Sequence, residues 1–306
     1  MKWNTNFVWV VLGLHLLGLG FLVAGAWQHP LMWGMGLAVY GLGLRHAWDA
    51  DHIAVIDNSS RKLLQDNKNA KAVGFYFAVG HALVVFLMSI GAALLGQHLT
   101  GEESPLTRVG GWVAPLVGGL YLLLLALVNL RAYLQTLKGR HTHGGLLSRL
   151  VLPLTRITRE PWHLLPVGFL MGLGMETASE VTLLAFSGSA AQQGVNWTAI
   201  LALPLLFASG MVLMDTLDGL LMTRAYQQTL QGSDHRRRYN LTLTLVSGVI
   251  ALIIGVWTVL GWISGHVHAL PLIDRIDVSS LGFVLAAFGL GSLILMALRP
   301  GRPLSR

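Results

Sequence analysis

The chain has 306 residues, of which 54% are hydrophobic and only 11% charged, and its formal net charge is +7. A soluble globular domain carries about 25% charged residues, so this composition excludes a wetted surface and predicts an all-α membrane protein. The absence of cysteine excludes a disulfide framework, a thiolate zinc site and a cysteine-ligated iron–sulfur cluster.

Eight apolar runs, each about as long as a bilayer is thick, follow one another along the chain. They are predicted as transmembrane helices at residues 7–26, 31–53, 74–95, 112–134, 164–187, 197–222, 241–264 and 279–298. Together they form one transporter-sized domain over residues 1–306, with a longer loop at about 135–163. Residues 24–26 have the small-x-small pattern of a signal-peptide cleavage site, but the preceding run is long for that purpose, so we expect span one to be retained.

The basic residues test this arrangement. With the amino terminus in the cytoplasm, eighteen of the 21 lysines and arginines fall on the cytoplasmic side, including Arg61 and Lys62 in the loop after span two. Only Arg108 and Arg275 fall on the opposite side, and Arg45 lies within span two. This distribution obeys the positive-inside rule and predicts that both termini and the longest loop are cytoplasmic. It also explains the positive net charge without a nucleic-acid partner.

Similar glycine motifs recur in two halves of the chain. Gly-Leu-Gly at 41–43 in span two matches 172–174 in span five, and Phe77 to Gly80 in span three matches Phe207 to Gly210 in span six. The two motifs are separated by nearly the same distance in both halves. We therefore expect spans one to three to be repeated in spans four to six with opposite orientation, as in many secondary transporters, although glycine and leucine are abundant enough here for a chance match.

Ionisable side chains occur inside the predicted spans, where each costs roughly 2.5–3.5 kcal/mol at the centre of the bilayer. Arg45 can compensate one acid, so the remaining negative charge predicts a binding site for a cation, either protons or a divalent metal. The histidines among these side chains favour a metal, because imidazole is a common ligand of Ni²⁺ and Co²⁺. The candidate ligands are His46, Asp49, Asp51, His52, His81, Glu176, Glu180, Asp215 and Asp218.

Spacing places several of these side chains on shared helix faces. His46, Asp49 and His52 are three residues apart and would follow one side of a helix, whereas Asp51 would point elsewhere. Asp51 would then accept a hydrogen bond from an imidazole N–H, unless the helix is broken there. Two further pairs, at i, i+4 and i, i+3, each present two carboxylates to one neighbour: Glu176 with Glu180, and Asp215 with Asp218.

Three other histidines are weaker candidates for metal binding. His15 in span one has no acidic neighbour, which is typical of a packed or interfacial histidine. His141 and His143 lie in the longest predicted loop, where a pair of histidines could gather metal but a solvated loop is the simpler interpretation.

At the ionisable residues the chain resembles the nickel/cobalt transporter family (NiCoT). Residues 45–53 match its second-span signature R-H-A-x-D-A-D-H-I in full, and residues 77–81 match the start of F-x-x-G-H-S-S-V-V, whose serines are Ala82 and Leu83 here. In span six, residues 210–219 fit the family signature fully.

The fifth-span motif of this family departs from the pattern at two positions. Residues 173–181 resemble L-G-x-D-T-A-T-E-I, with Glu176 in place of Asp and Ser179 in place of Thr. The longer side chain at position 176 could alter the geometry of the site and hence the ion preference.

The resemblance implies a secondary transporter of eight helices that imports Ni²⁺ or Co²⁺ across a bacterial inner membrane without ATP, a cofactor or enzymatic activity. The chain has no G-x-x-x-x-G-K-[ST] nucleotide-binding loop, which agrees with transport that does not use ATP. His46, Asp51 and His52 would bind the ion near the middle of the bundle. The remaining candidates would complete or relay that site, while relative movement of the two repeats exposed it alternately.

Three alternatives remain open. An efflux protein of the same fold would share the second-span signature but tends to carry a longer histidine-rich loop. An intramembrane metalloprotease should contain H-E-x-x-H, which is absent. A proton-coupled exporter of small organic molecules would use the acids as proton sites. The sequence also leaves the oligomeric state open.

Overall fold

The computed structural model describes residues 6–95, 105–137, 158–174, 177–230 and 234–267. Within these ranges the regular elements are all helical. In chain order the α-helices are α1 (Asn6–Ala26), α2 (Leu31–His46), α3 (Ala50–Gln65), α4 (Val73–Leu95), α5 (Pro105–Leu137), α6 (Leu164–Gly172), α7 (Ala178–Gln192), α8 (Trp197–Leu230) and α9 (Asp234–His266). A short 3₁₀ helix, Pro161–His163, precedes α6.

Five of these helices are long and apolar enough to cross a membrane. Their spanning segments correspond to predicted spans one, three, four, six and seven, and they are Phe7–Ala26, Val73–Leu95, Arg108–Arg131, Trp197–Gln227 and Thr244–His266. Predicted span eight and the loop histidines His141 and His143 lie outside the described residues.

Predicted spans two and five are not continuous helices. The helical face expected for His46, Asp49 and His52 is therefore wrong, and the alternative of a break at this point is correct. Helix α2 ends at His46, and Asp49 takes an extended conformation (ψ 143°) immediately before α3. Thr177 takes the same extended conformation immediately before α7. Both residue types favour the N-cap position, so each helix restarts where the sequence offers a cap.

Helix α3 lies in the interior of the bundle despite its polar sequence. All of its residues except Asp51 and Gln65 are buried, and it packs against α4, α5, α8 and α9. The expectation that Arg61 and Lys62 belong to a loop is therefore wrong. Their helix continues to Gln65, because the neighbouring elements supply hydrogen-bond partners for its polar side chains.

Glycine allows the two broken helices to approach α4 and α8 closely. A Cβ at Gly43 in α2 would lie 2.1 Å from the carbonyl oxygen of Phe207 in α8. A Cβ at Gly168 in α6 would lie 2.0 Å from the carbonyl oxygen of Phe77 in α4. These backbone contacts bring the broken ends of α2 and α6 against the two helices that carry further candidate ligands.

Candidate metal centre

Three buried imidazoles from three helices converge at the centre of the bundle. His46 is the last residue of α2, His52 lies in the first turn of α3, and His81 lies in α4. One ligand atom from each ring lies within 4.8 Å of the others, and the three side chains are between 0% and 4% exposed. We call these residues the imidazole cluster.

Glu180 of α7 completes a compact set of ligand atoms. The Nε2 atoms of His46 and His81 are 3.1 Å apart, and Glu180 Oε1 lies 2.9 Å from His81 Nε2 and 3.7 Å from His46 Nε2. Two atoms bound at about 2.1 Å to one ion, at angles of about 90–110°, are about 3.0–3.4 Å apart. The spacing therefore suits three ligands of a single transition-metal ion.

His52 is oriented by a carboxylate from another helix. Its Nδ1–H donates to Asp215 Oδ2 at 3.0 Å, and Asp215 is fully buried in α8. This bond leaves Nε2 as the free nitrogen, and Nε2 is buried with no hydrogen-bond partner. Carboxylates fix metal-binding histidines in this way, because they hold the ring in place and increase its basicity.

His46 has a similar arrangement on its outer side. Its Nδ1 lies 3.1 Å from Asp49 Oδ2 and 3.3 Å from Thr177 Oγ1, so its Nε2 points into the cluster. Arg45 lies between the two helix breaks, 3.4 Å from Asp49 Oδ1 and 3.2 Å from Ser179 Oγ. Arg45 is therefore a counter-charge for Asp49, as expected, and it joins α2 to α7.

The start of α7 fixes the position of Glu180. The hydroxyl of Thr177 donates to Glu180 Oε2 at 2.9 Å, and the backbone N–H of Glu180 donates to Thr177 Oγ1 at 3.4 Å. This capping box directs Oε1 toward the imidazole cluster. Glu180 and Asp51 both lie in the first turn of a helix, where the helix dipole favours a negative charge.

Two phenylalanines cover the imidazole rings. Phe77 lies edge-on to His52, with ring centroids 4.9 Å apart, and Phe207 lies 5.6 Å from the ring of His46. Both phenylalanines are fully buried. They exclude water on this side, which strengthens every charge interaction inside the cluster.

A cavity of about 120 Å³ reaches the cluster from one side. Asp51, Thr177 and Glu180 line it together with His46 and His81, and its far wall is formed by Ala114, Pro115 and Gly118 of α5, and Thr258 of α9. Asp51 accepts a hydrogen bond from the backbone N–H of His52, rather than from an imidazole N–H as the unbroken helix had suggested. Its carboxylate thus lies along the approach to the imidazoles.

The structure brings most of the predicted site residues together. His46, His52, His81 and Glu180 form the cluster, Asp49 and Asp215 contact its histidines, and Asp51 lines the cavity. Asp218 lies about one turn beyond Asp215 on α8, away from the cluster. Glu176 lies outside the described residues. His15 bonds to Val11 O and Tyr40 within α1 and α2, in agreement with the prediction of a packed histidine.

Sequence reasoning did not assign a role to Thr177, although it belongs to a quoted motif. The pattern Thr-x-x-Glu at 177–180 is a capping box, and it could have revealed that a helix begins inside predicted span five.

Apolar helices around a buried group of imidazoles and carboxylates define a multi-pass membrane protein with a candidate site for a divalent transition metal. Residues 32–298 match the family described as "High-affinity nickel-transport protein", and the chain belongs to this family of nickel transporters. The family is not enzymatic, which agrees with the prediction from sequence and removes the metalloprotease alternative.

Individual relatives carry consistent names. The chain is 40% identical to "Nickel transporter NixA" of Staphylococcus aureus, over 92% of this chain and 89% of that protein. It is 38% identical to "High-affinity nickel-transport protein NixA" of Helicobacter pylori, over 92% of each chain. It is also 40% identical to "Cobalt transport protein NhlF" of Rhodococcus rhodochrous, over 82% of this chain and 77% of that protein. No solved structure matches the chain.

Proposed function

We propose that this protein is a secondary transporter that imports Ni²⁺ and Co²⁺ across a bacterial inner membrane through the imidazole cluster and Glu180. The observation that carries the proposal is the 2.9–3.7 Å spacing of three ligand atoms beside the unpartnered Nε2 of His52, all buried at the centre of the bundle. Imidazole and carboxylate ligands suit both ions, and the names of relatives include nickel and cobalt transport.

The cavity supplies the route by which the ion reaches these ligands. With the amino terminus in the cytoplasm, α5 starts and α9 ends on the opposite face, so Ala114 and Thr258 lie in the outer half of the bundle. The ion enters from outside past Asp51, and the imidazoles and Glu180 replace its water. A neutral imidazole and an ionised carboxylate are the forms that accept it.

An inverted repeat accounts for alternating access to this site. It is supported by reciprocal backbone contacts, in which Gly43 packs on Phe207 while Gly168 packs on Phe77. These contacts make Gly168 the counterpart of Gly43, whereas the sequence match makes Gly174 its counterpart. The repeats comprise spans one to three and four to six of an eight-helix domain with cytoplasmic termini, and rocking of one repeat against the other exposes the site to either side.

The membrane potential drives inward movement without ATP. It contributes about 2.3 kcal/mol per elementary charge per 100 mV, which is about 4.6 kcal/mol for a divalent cation. This term favours import over efflux for a carrier that couples to no other energy source.

Uptake of ⁶³Ni²⁺ by cells lacking other nickel importers tests the proposal. We expect wild-type protein to increase cellular nickel and His52→Asn to abolish the increase, with unlabelled Co²⁺ competing for uptake. His15→Asn is the matched control, because it changes a histidine outside the cluster. Lower cellular nickel than in empty cells would instead identify an efflux protein. Uptake by His52→Asn equal to wild type would contradict the assigned site.

A further inference from the structure

Buried polar groups continue beyond the imidazole cluster, along α3 and α8. The two helices run side by side from His52 and Asp215, because Ile56 lies against Gly219 and the hydroxyl of Tyr226 donates to Asp57. Asp57 lies about 7.5 Å along α3 from His52, and Asp218 lies about 4.5 Å along α8 from Asp215. This strip between α3 and α8 leads away from the cavity that reaches the cluster.

The strip contains carboxylate oxygens with unused hydrogen-bonding capacity. One oxygen of each of Asp57, Asp215 and Asp218 is buried with no hydrogen-bond partner, and Asp57 is only 1% exposed. Asp218 is placed near Asp57 by the packing of its neighbour Gly219 against Ile56, the residue before Asp57. Buried carboxylate oxygens are unfavourable unless a cation or donor compensates them, so the strip fits a cation ligand.

Arg61 is a buried cation one turn beyond Asp57 on α3. Its side chain is 2% exposed, and its guanidinium donates to Thr244 Oγ1 and Ser247 Oγ at 2.8 Å each and to the hydroxyl of Tyr226. It lies 3.9 Å from Asp57 Oδ2 and makes no hydrogen bond to it in the described structure. Arg61 is thus held mainly by hydroxyl groups of α8 and α9, while its charge acts on Asp57 from a short distance.

We propose that Asp57 and Asp218 form a second divalent-cation site beyond the imidazole cluster, and that Arg61 is the built-in counter-ion of this site when no metal is bound. The inference rests on the proposed transport function and extends it to the release step. A metal ion leaving the cluster is received by oxygen ligands alone, which hold Ni²⁺ and Co²⁺ less tightly than imidazole does. The positive charge of Arg61 then repels the ion, and Arg61 again balances the negative charge of Asp57 after the ion has left. Both effects favour release toward the carboxyl-terminal end of α3.

The test separates binding from transport in the full-length protein. Asp57→Asn and Asp218→Asn each keep side-chain size and leave the imidazole cluster intact. We expect purified variants to keep the tight Ni²⁺ binding of the imidazole cluster within about twofold of wild type in equilibrium dialysis and to lose the weaker binding of the second site. In cells, ⁶³Ni²⁺ uptake by these variants should fall at least about tenfold. Asp66→Asn, at the exposed end of the same helix, is the matched charge control and should transport normally.

A double variant covers the case in which removal of one charge disrupts folding. Asp57→Asn combined with Arg61→Gln removes both charges together, so the protein should be recovered in the membrane and still fail in uptake. Normal uptake by Asp57→Asn and Asp218→Asn, while His52→Asn is inactive, would overturn the second site and leave the transport function standing. Parallel loss of the tight Ni²⁺ binding and of uptake in these variants would also overturn it, because the acids would then belong to the first site.

Accessibility to a thiol reagent tests the role of Arg61, since the chain has no cysteine of its own. Ser60 is fully buried beside Arg61, so Ser60→Cys should resist a membrane-impermeant reagent added to inside-out vesicles. Adding Arg61→Gln should increase the labelling rate at least about fivefold, because the contacts of Arg61 with α8 and α9 are lost. An unchanged rate would show that the contacts of Arg61 do not hold α3 against α8 and α9, which would contradict the fixed position assigned to this counter-ion.

Discussion

His52 donates a hydrogen bond from Nδ1 to Asp215 Oδ2 at 3.0 Å, which joins the second predicted span to the sixth. The bond selects the tautomer whose Nε2 is free, and it directs that nitrogen to the other two imidazoles. Neither residue is exposed to solvent. In the proposed transport site, this bond therefore contributes to the affinity for the metal ion.

Asp215→Asn should weaken Ni²⁺ binding about 10- to 100-fold, because the ring of His52 loses the carboxylate that orients it and increases its basicity. Isothermal titration calorimetry of the purified protein measures this change. The control Asp66→Asn removes one carboxylate far from the cluster and should bind as wild type does. An unchanged affinity in Asp215→Asn would show that the bond has no part in ion binding.

Glu180→Gln should lower the affinity for Ni²⁺ at least about tenfold, since it removes the negative charge that lies 2.9 Å from His81 Nε2. Its counterpart Glu160→Gln changes a half-exposed glutamate that pairs with Lys68, and it should have little effect. Competition of both variants with a fluorescent chelator gives the two affinities. Equal affinities in the two variants would count against Glu180 as a ligand.

Gly43→Ala should destabilise the protein by about 1–3 kcal/mol, because the new Cβ would lie 2.1 Å from the carbonyl oxygen of Phe207 and the helices must separate. Gly41→Ala lies on the same helix with no atom within 4 Å of the new Cβ. This control should be neutral or slightly stabilising. Thermal unfolding in detergent distinguishes them, and equal transition temperatures would refute the close contact of α2 with α8.

Thr177→Ala should cost about 0.5–2 kcal/mol by removing the N-cap of α7, and it should also weaken Ni²⁺ binding because Glu180 is no longer positioned. Thr177→Ser keeps the hydroxyl and should preserve both properties. Thermal unfolding and calorimetric titration of the pair measure the two effects. If Ser were as damaging as Ala, the methyl group rather than the cap would be responsible.

The composition of the cluster could be predicted from sequence, but its geometry could not. Placing an ionisable side chain in an apolar span costs free energy, and this cost alone identified His46, His81 and Glu180 as candidate ligands. Their mutual distances depend on two helix breaks, which hydropathy does not reveal. Asp and Thr are favourable N-cap residues, but the apolar runs around Asp49 and Thr177 are also compatible with uninterrupted helices.

Asp57 and Arg61 were missed for a different reason. Predicted span two ends with the apolar run at residue 53, so the residues that follow, including Asp57 and Arg61, were expected in a cytoplasmic loop. The structure continues the helix through these residues, because Asn129, Tyr121 and Tyr226 on neighbouring helices supply hydrogen-bond partners. Tertiary partners thus override local preference here, and a single sequence does not show them.

X-ray absorption spectroscopy of the Ni²⁺-loaded full-length protein tests the central claim most directly, because it counts imidazole ligands. We expect a shell of nitrogen and oxygen atoms at about 2.1 Å, with outer-shell scattering from three imidazoles. The variants His46→Asn, His52→Asn and His81→Asn should each lose one imidazole contribution, while His15→Asn should lose none. A spectrum unchanged by all three cluster variants would place the ion elsewhere and contradict the account.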